Sequence, residues 1–333
     1  MKTVFVIGAG ANVEIGMPSG KMLKNDIIKT LDFSSFFRKA NNKNIDIYFA
    51  MQQANRSDQE INNTASIIKK ALPHTISIDN FIDMHRDKPD IALCGKLAII
   101  YCILKAEKNS SLYKFINYEN DNLLNTWYPL FFQKISENCD LNDFIIRMKD
   151  ISFIIFNYDR CFEYYMINVI QIVYKTSREN AEKIVEEMNI IHPYGKIDDL
   201  QKVPLGAELN SHQLLKCAAN IRTFTEDSEE TINERKDIIQ LINKVNRIIF
   251  LGFAYHPMNL DIIFKRVVHS TTAVILTNHI YCYGTGYEIS ENDRKHVEFL
   301  LKQCSFRVEI CDISNVSCTQ FFRDFWYRLS FQK

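Results

Sequence analysis

The chain has 333 residues, 47% of them hydrophobic and 24% charged, with 40 basic side chains against 40 acidic ones. That is an ordinary globular balance with enough chain for a sizeable core. Zero net charge argues against a protein whose main work is gripping a nucleic-acid backbone, which needs a basic face, and it favours self-association.

Residues 4–7 form a continuous apolar run, the pattern of a strand buried on both faces in a parallel sheet. Too few apolar residues lie between Lys2 and Gly8 for a signal peptide or a membrane span, so a soluble, cytoplasmic protein is expected. Gly8-Ala9-Gly10-Ala11-Asn12 follows, rich in small residues. Such a loop brings backbone N–H groups close to a pyrophosphate. It is not the dehydrogenase fingerprint, because Val13 stands where the third glycine or alanine belongs. The acid expected further on falls at Asp32, with no strand before it, so hydride transfer fits poorly. Gly16-Met17-Pro18 then delays the first helix, since Pro18 holds Met17 extended. The expectation is a flexible arch over the dinucleotide, then a helix over residues 21–31.

From 31 to 149 the pattern is helical, as at Ala98, Tyr101, Cys102 and Lys105, and no strand-like run appears. Residues 152–156 are the second apolar run and end in Asn157-Tyr158-Asp159. A helix is predicted over 178–188, with Glu179 and Lys183 paired across one turn. The short pair Ile190-Ile191 leads into His192-Pro193-Tyr194-Gly195, where Pro193 places the segment at a strand edge or end. Thr231 to Glu234 fits a capping box. Residues 247–251 are a third run, followed by Gly252-Phe253. Residues 273–276 are a fourth, followed by Thr277-Asn278. Ser290 to Asp293 opens a helix reaching about Gln303, and Phe321, Phe322, Phe325, Trp326 and Leu329 make a helical apolar stripe, read as core or subunit contact. The alternation predicts an α/β protein. It is a Rossmann-like parallel sheet flanked by helices, with a core of 1–30 and 150–333 and a large helical insertion over 31–149, all in one domain. Nine scattered cysteines without a C-x-x-C pair point to reduced thiols and no zinc module; no metal is expected.

GAGANVEIGMPS resembles the opening motif of the sirtuin-like (SIR2-like) superfamily. Asn157-Tyr158-Asp159 resembles that family's strand-end Asn-x-Asp motif, and residues 248–253 with Asp261 resemble its later ribose-binding strand. Ser77 to Ile82 is similar to a motif in the helical part of bacterial SIR2-like defence proteins. The resemblance implies NAD as substrate and attack at the nicotinamide–ribose bond. The zinc-lacking bacterial branch implies NAD hydrolysis in anti-phage defence, triggered by a separate sensor or activator such as an ATPase, a nuclease-like protein or a nucleotide-processing protein. A homo- or hetero-oligomer follows, with no direct nucleic-acid binding and no membrane. The alternatives are a non-catalytic module that senses NAD or a nucleotide signal, and, less favoured, a deacylase.

The chemistry asks for a group to hold the ribose, a placed water and a base. Asn157 offers both a donor and an acceptor for the ribose or the water. Asp159 is placed to hold the carboxamide or steady the developing cation. His192 is expected as base, two residues before the family's usual place. Tyr194, which occupies that place, is the alternative facing the ribose. Gly8, Ala9, Gly10, Ala11, Asn12, Gly16, Pro18, Gly252, Phe253, Thr277 and Asn278 are the remaining residues expected at the dinucleotide. His256 is read as a loop histidine, and Arg160 and Glu163 as structural.

Overall fold

A computed structural model describes residues 1–33, 45–115, 121–223, 229–264, 279–305 and 307–331. Its centre is a six-stranded sheet in the order β3-β2-β1-β4-β5-β6. The strands are β1 (Thr3–Ile7), β2 (Ile151–Ile155), β3 (Asn189–Ile191), β4 (Arg247–Leu251), β5 (Ile280–Thr285) and β6 (Val308–Ser314), and every pairing is parallel. This is the doubly wound order in which the chain reverses direction between β1 and β4, so a crevice opens at the carboxyl ends of those two strands.

Alternation along the strands explains the two cores. Phe5, Ile7, Phe153, Ile155, Ile249 and Leu251 face one way, and Val4, Val6, Ile154, Ile248 and Phe250 the other. Both faces are covered, which is why these strands read as unbroken apolar runs.

The first face is packed by the insertion. After α1 (Gly20–Thr30) come α2 (Ile45–Gln53), α3 (Asp58–Ala71), α4 (Ile78–Met84), α5 (Pro89–Asn109), α6 (Ser111–Phe115), α7 (Trp127–Ser136) and α8 (Leu141–Met148). Phe131 of α7 sits edge-on to Phe5 at 5.2 Å, so the insertion is seated on the central strand. The α9 helix (Cys161–Tyr174) and α10 (Arg178–Glu186) follow β2, and α11 (Ser211–Ala218) and α12 (Glu229–Lys244) follow β3. The second face carries α12 with α13 (Pro257–Phe264) and α14 (Glu291–Cys304); α15 (Cys318–Asp324) returns to the first. The stripe Phe321, Phe322, Phe325 and Leu329 is buried there, as core.

The run at residues 273–276 and the residues Thr277 and Asn278 lie outside the described residues. Three local expectations change. Among the described residues the strands after β4 are β5 and β6; β6 carries Glu309 and Asp312 and lies at the sheet edge, so no apolar run marks it. Thr231 is not a helix cap, because α12 begins at Glu229 and Thr231 is buried within it. The Gly16–Pro18 arch is not a loose cover. Residues 9–15 form a 3-10 helix closed by Gly16 at φ +90°, Met17 donates its N–H to Asn12 O at 3.0 Å, and Met17 and Pro18 are buried. Glu14 ties the same turn to the backbone N–H groups of Trp127 (3.1 Å) and Thr319 (2.9 Å). Ser290, by contrast, caps α14 as its sequence predicts, accepting from Asp293 N at 3.1 Å.

Among the described residues no helix is long and apolar enough to cross a membrane.

Candidate active site

The glycines at the crevice answer first to each other. A Cβ on Gly8 would meet Gly252 O at 2.5 Å, and one on Gly10 would meet it at 2.8 Å. Gly252 lies at φ +56°, and a Cβ there would come within 1.8 Å of Ala11 N. Glycine is needed at these positions because the β1 and β4 loops touch backbone to backbone. Hydrogen bonds follow the same contact. Gly8 donates to Leu251 O (2.9 Å), Gly10 to Gly252 O (3.0 Å) and Ala11 to Gly8 O (3.0 Å). Three N–H groups expected to point at a phosphate are therefore used inside the protein; the loop shapes the wall of the crevice. Phe253, expected against the cofactor, is instead core, 5.1 Å from Phe156 and 5.4 Å from Tyr255 between ring centroids.

Loop and second strand are joined by side chains. Asn12 donates from Nδ2 to Asp159 Oδ1 at 2.9 Å and accepts from the Tyr128 hydroxyl at 2.8 Å. Asp159 Oδ1 also accepts from Cys161 N at 3.0 Å, which starts α9. Burial raises the Asp159 carboxyl above its ordinary value, against the pull of these hydrogen bonds. Asp159 is thus a brace between loop and strand. Tyr158, between the two motif residues, donates to Asp79 of the insertion, so the Ser77–Ile82 motif does meet the Asn-x-Asp motif.

Asn157 is different. It is 4% exposed, and among the described residues neither Nδ2 nor Oδ1 has a hydrogen-bond partner. A buried carboxamide with both ends unmade costs a few kcal/mol at the ~1–3 kcal/mol typical of each unsatisfied group. Its own carbonyl oxygen lies 3.2 Å from His192 Nδ1. The turn His192–Gly195, closed by Gly195 N to His192 O at 2.9 Å, delivers the imidazole to that spot.

His192 Nε2 is 2.9 Å from Glu163 Oε1, and Lys196 Nζ is 3.4 Å from the same oxygen. Glu163, read from the sequence as structural, is the side chain that meets His192. The signal was present, because it is the one charged residue of the apolar helix α9. Burial works to raise its carboxyl, but the charge and hydrogen bond of His192, with Lys196, outweigh it and hold Glu163 at about 2. A carbonyl and a carboxylate both accept, so making both bonds puts an N–H on each ring nitrogen. In that arrangement His192 has no lone pair for a water and is not yet the base expected of it. The longer contact, at Nδ1, is the one a water could replace.

Tyr194 does not take the place of His192. Its hydroxyl donates to Asn259 Oδ1 at 2.6 Å, and its ring lies 5.7 Å from Phe156. His256 accepts from Met258 N at 3.4 Å and closes its own turn. Arg160 is structural as read, forming a fully buried pair with Glu107 at 2.7 Å. The structure therefore brings together Asn12, Asn157, Asp159 and His192 and adds Glu163. A groove of about 740 Å³ beside them runs past His192 and Glu163 along β3; Gly10 and Asn157 are not among its walls. Among the described residues no group of three or more His, Cys, Asp or Glu side chains is placed to hold a metal ion.

No protein-family model matches this sequence, and a search of curated proteins finds no match.

Proposed function

We propose that this chain is an NAD glycohydrolase of the SIR2-like kind, splitting NAD into nicotinamide and ADP-ribose. The observation that carries the reading is the Asn157 carboxamide, buried with both polar atoms unmade at the tip of β2 and held beside His192. Placed at the carboxyl end of a strand next to the β1–β4 crevice, a free donor–acceptor pair matches a ribose hydroxyl or a bound water. The bond between nicotinamide nitrogen and ribose carbon breaks with its electron pair leaving on nicotinamide, which becomes neutral. Water adds to the ribose carbon, and its proton passes to Nδ1 of His192. Glu163 holds Nε2–H and favours the imidazolium that forms, as a carboxylate does behind a histidine base. Asp159 and Asn12 keep loop and strand in register and stay clear of the chemistry.

Because the carboxamide is sealed and Nδ1 faces a carbonyl, the form described is a resting one. That supports activation by a partner or signal, with NAD depletion in anti-phage defence as the outcome. The test is nicotinamide release from NAD by the purified chain, alone and with candidate activators, compared with Asn157→Ala and His192→Ala. Loss in both variants supports the assignment; full turnover in both ends it. Tight NAD binding without turnover in any assembly would favour the sensing module instead.

A further inference from the structure

We propose that Cys282 and Cys311 are a redox modification site, closing into a disulfide when a peroxide reaches them and reopening when a small thiol reduces them. All nine cysteines of the chain are free thiols in this structure. The sheet sets these two opposite each other, because Cys282 of β5 is in register with Cys311 of β6. Both side chains leave the sheet on the same face, where Cys282 is core and Cys311 packs half-buried against it. Neighbouring strands lie about 4.7–4.9 Å apart, so a registered pair falls inside the Cα separation of about 4.4–6.8 Å that a disulfide spans. The sulfurs are in contact. The Cys282 thiol is pushed well above its ordinary value, first by the hydrogen bond it shares with Cys311 and then by burial.

The two positions take different parts in the chemistry. Cys311 lies on the edge strand and is partly open to solvent, whereas Cys282 is wholly buried. Cys311 gives its proton to solvent, and its sulfur attacks one oxygen of the peroxide. The O–O bond breaks, the hydroxide released takes up a proton and leaves as water, and Cys311 becomes a sulfenic acid. The Cys282 sulfur then displaces the hydroxyl group, which takes the Cys282 proton and departs as a second water. Two thiols lose two electrons, and one hydrogen peroxide becomes two waters. Closure draws β6 toward β5, because Cβ atoms about one strand spacing apart must come to about 3.5–4.5 Å. An edge strand can give in this way, being paired on one side only, and the pairing of these strands already carries an irregularity at Ile280/Tyr281. The strain that remains makes the bond easy to reduce, which suits a reversible site rather than a structural staple. The pair does not depend on the NAD reading.

The test treats the folded full chain with hydrogen peroxide, blocks the remaining thiols with iodoacetamide after denaturation, and maps the peptides by mass spectrometry without reduction. Trypsin with a protease that cuts before aspartate separates Cys311 from Cys318 at Asp312. The expected product is a Cys282–Cys311 peptide pair lighter by two hydrogens than its two parts, and lost on treatment with reduced glutathione. Cys311→Ser should abolish the link and leave Cys282 fully alkylated. Cys282→Ser should leave Cys311 as a sulfenic acid, trapped by dimedone. If either variant fails to fold by circular dichroism, the wild-type map decides by itself. Four results would overturn the proposal: both thiols alkylated after peroxide, Cys311 carried on to sulfinic acid while Cys282 stays free, linkage of either to Cys304 or Cys318, or a link that resists glutathione.

Discussion

Glu163→Gln removes a buried charge while keeping the shape and one acceptor oxygen, so it isolates the electrostatic part of the His192–Glu163 contact. Lowering a carboxyl from its ordinary 4.5 to about 2 corresponds to about 3 kcal/mol of folding stability, at ~1.4 kcal/mol per tenfold change in proton affinity. The sign follows from the direction. The folded-state value is depressed, so this stability is fully present above pH 4.5 and fades as the pH falls toward 2. The assay is urea unfolding of wild type and variant at pH 7, 5, 4 and 3. The gap between them should be about 3 kcal/mol at neutral pH and should narrow steadily below pH 4.5. A gap under about 0.5 kcal/mol at pH 7, or one that stays constant down to pH 3, would refute the view that His192 and Glu163 form a charged pair.

Asn157→Ala should abolish nicotinamide release without lowering the unfolding free energy by more than about 0.5 kcal/mol, because it removes polar atoms that made no bonds; a large stability loss would mean the carboxamide has a structural partner. Gly252→Ala forces a Cβ against Ala11 N from a φ of +56°, and should destabilise by more than about 3 kcal/mol or prevent folding, read by thermal unfolding. Glu107→Ala strands the buried Arg160 guanidinium and leaves the Gly206 N–H, which donates to the same carboxylate, without its acceptor; it should cost roughly 3–5 kcal/mol in urea.

Much of the fold was legible because doubly buried strands write themselves as apolar runs, as at Val4–Ile7 and Arg247–Leu251. β6 was not, because an edge strand can carry Glu309 and Asp312 toward solvent. The glycine loop was visible, but its reason was not. Close backbone approach predicts glycine equally well whether the neighbour is a phosphate or another loop, and here the neighbour is Gly252. The Gly16–Pro18 arch was legible as a turn, but its anchoring rests on Glu14 reaching Trp127 and Thr319, contacts separated by more than a hundred residues of chain. Asn157 and His192 stood out in local pattern, one at a strand end and one before a proline, and the structure places the His192 ring beside the Asn157 carbonyl. Glu163 was missed because its partner lies across the β2–β3 connection. A lone charge inside an apolar helix is the sequence mark of such a hidden pair.

The most direct measurement is a crystal structure of the His192→Ala variant grown with NAD. The account predicts the nicotinamide ribose at the carboxyl end of β2, with one of its oxygens within about 3.2 Å of the Asn157 amide. NAD seated elsewhere, with the Asn157 carboxamide still untouched, would contradict it.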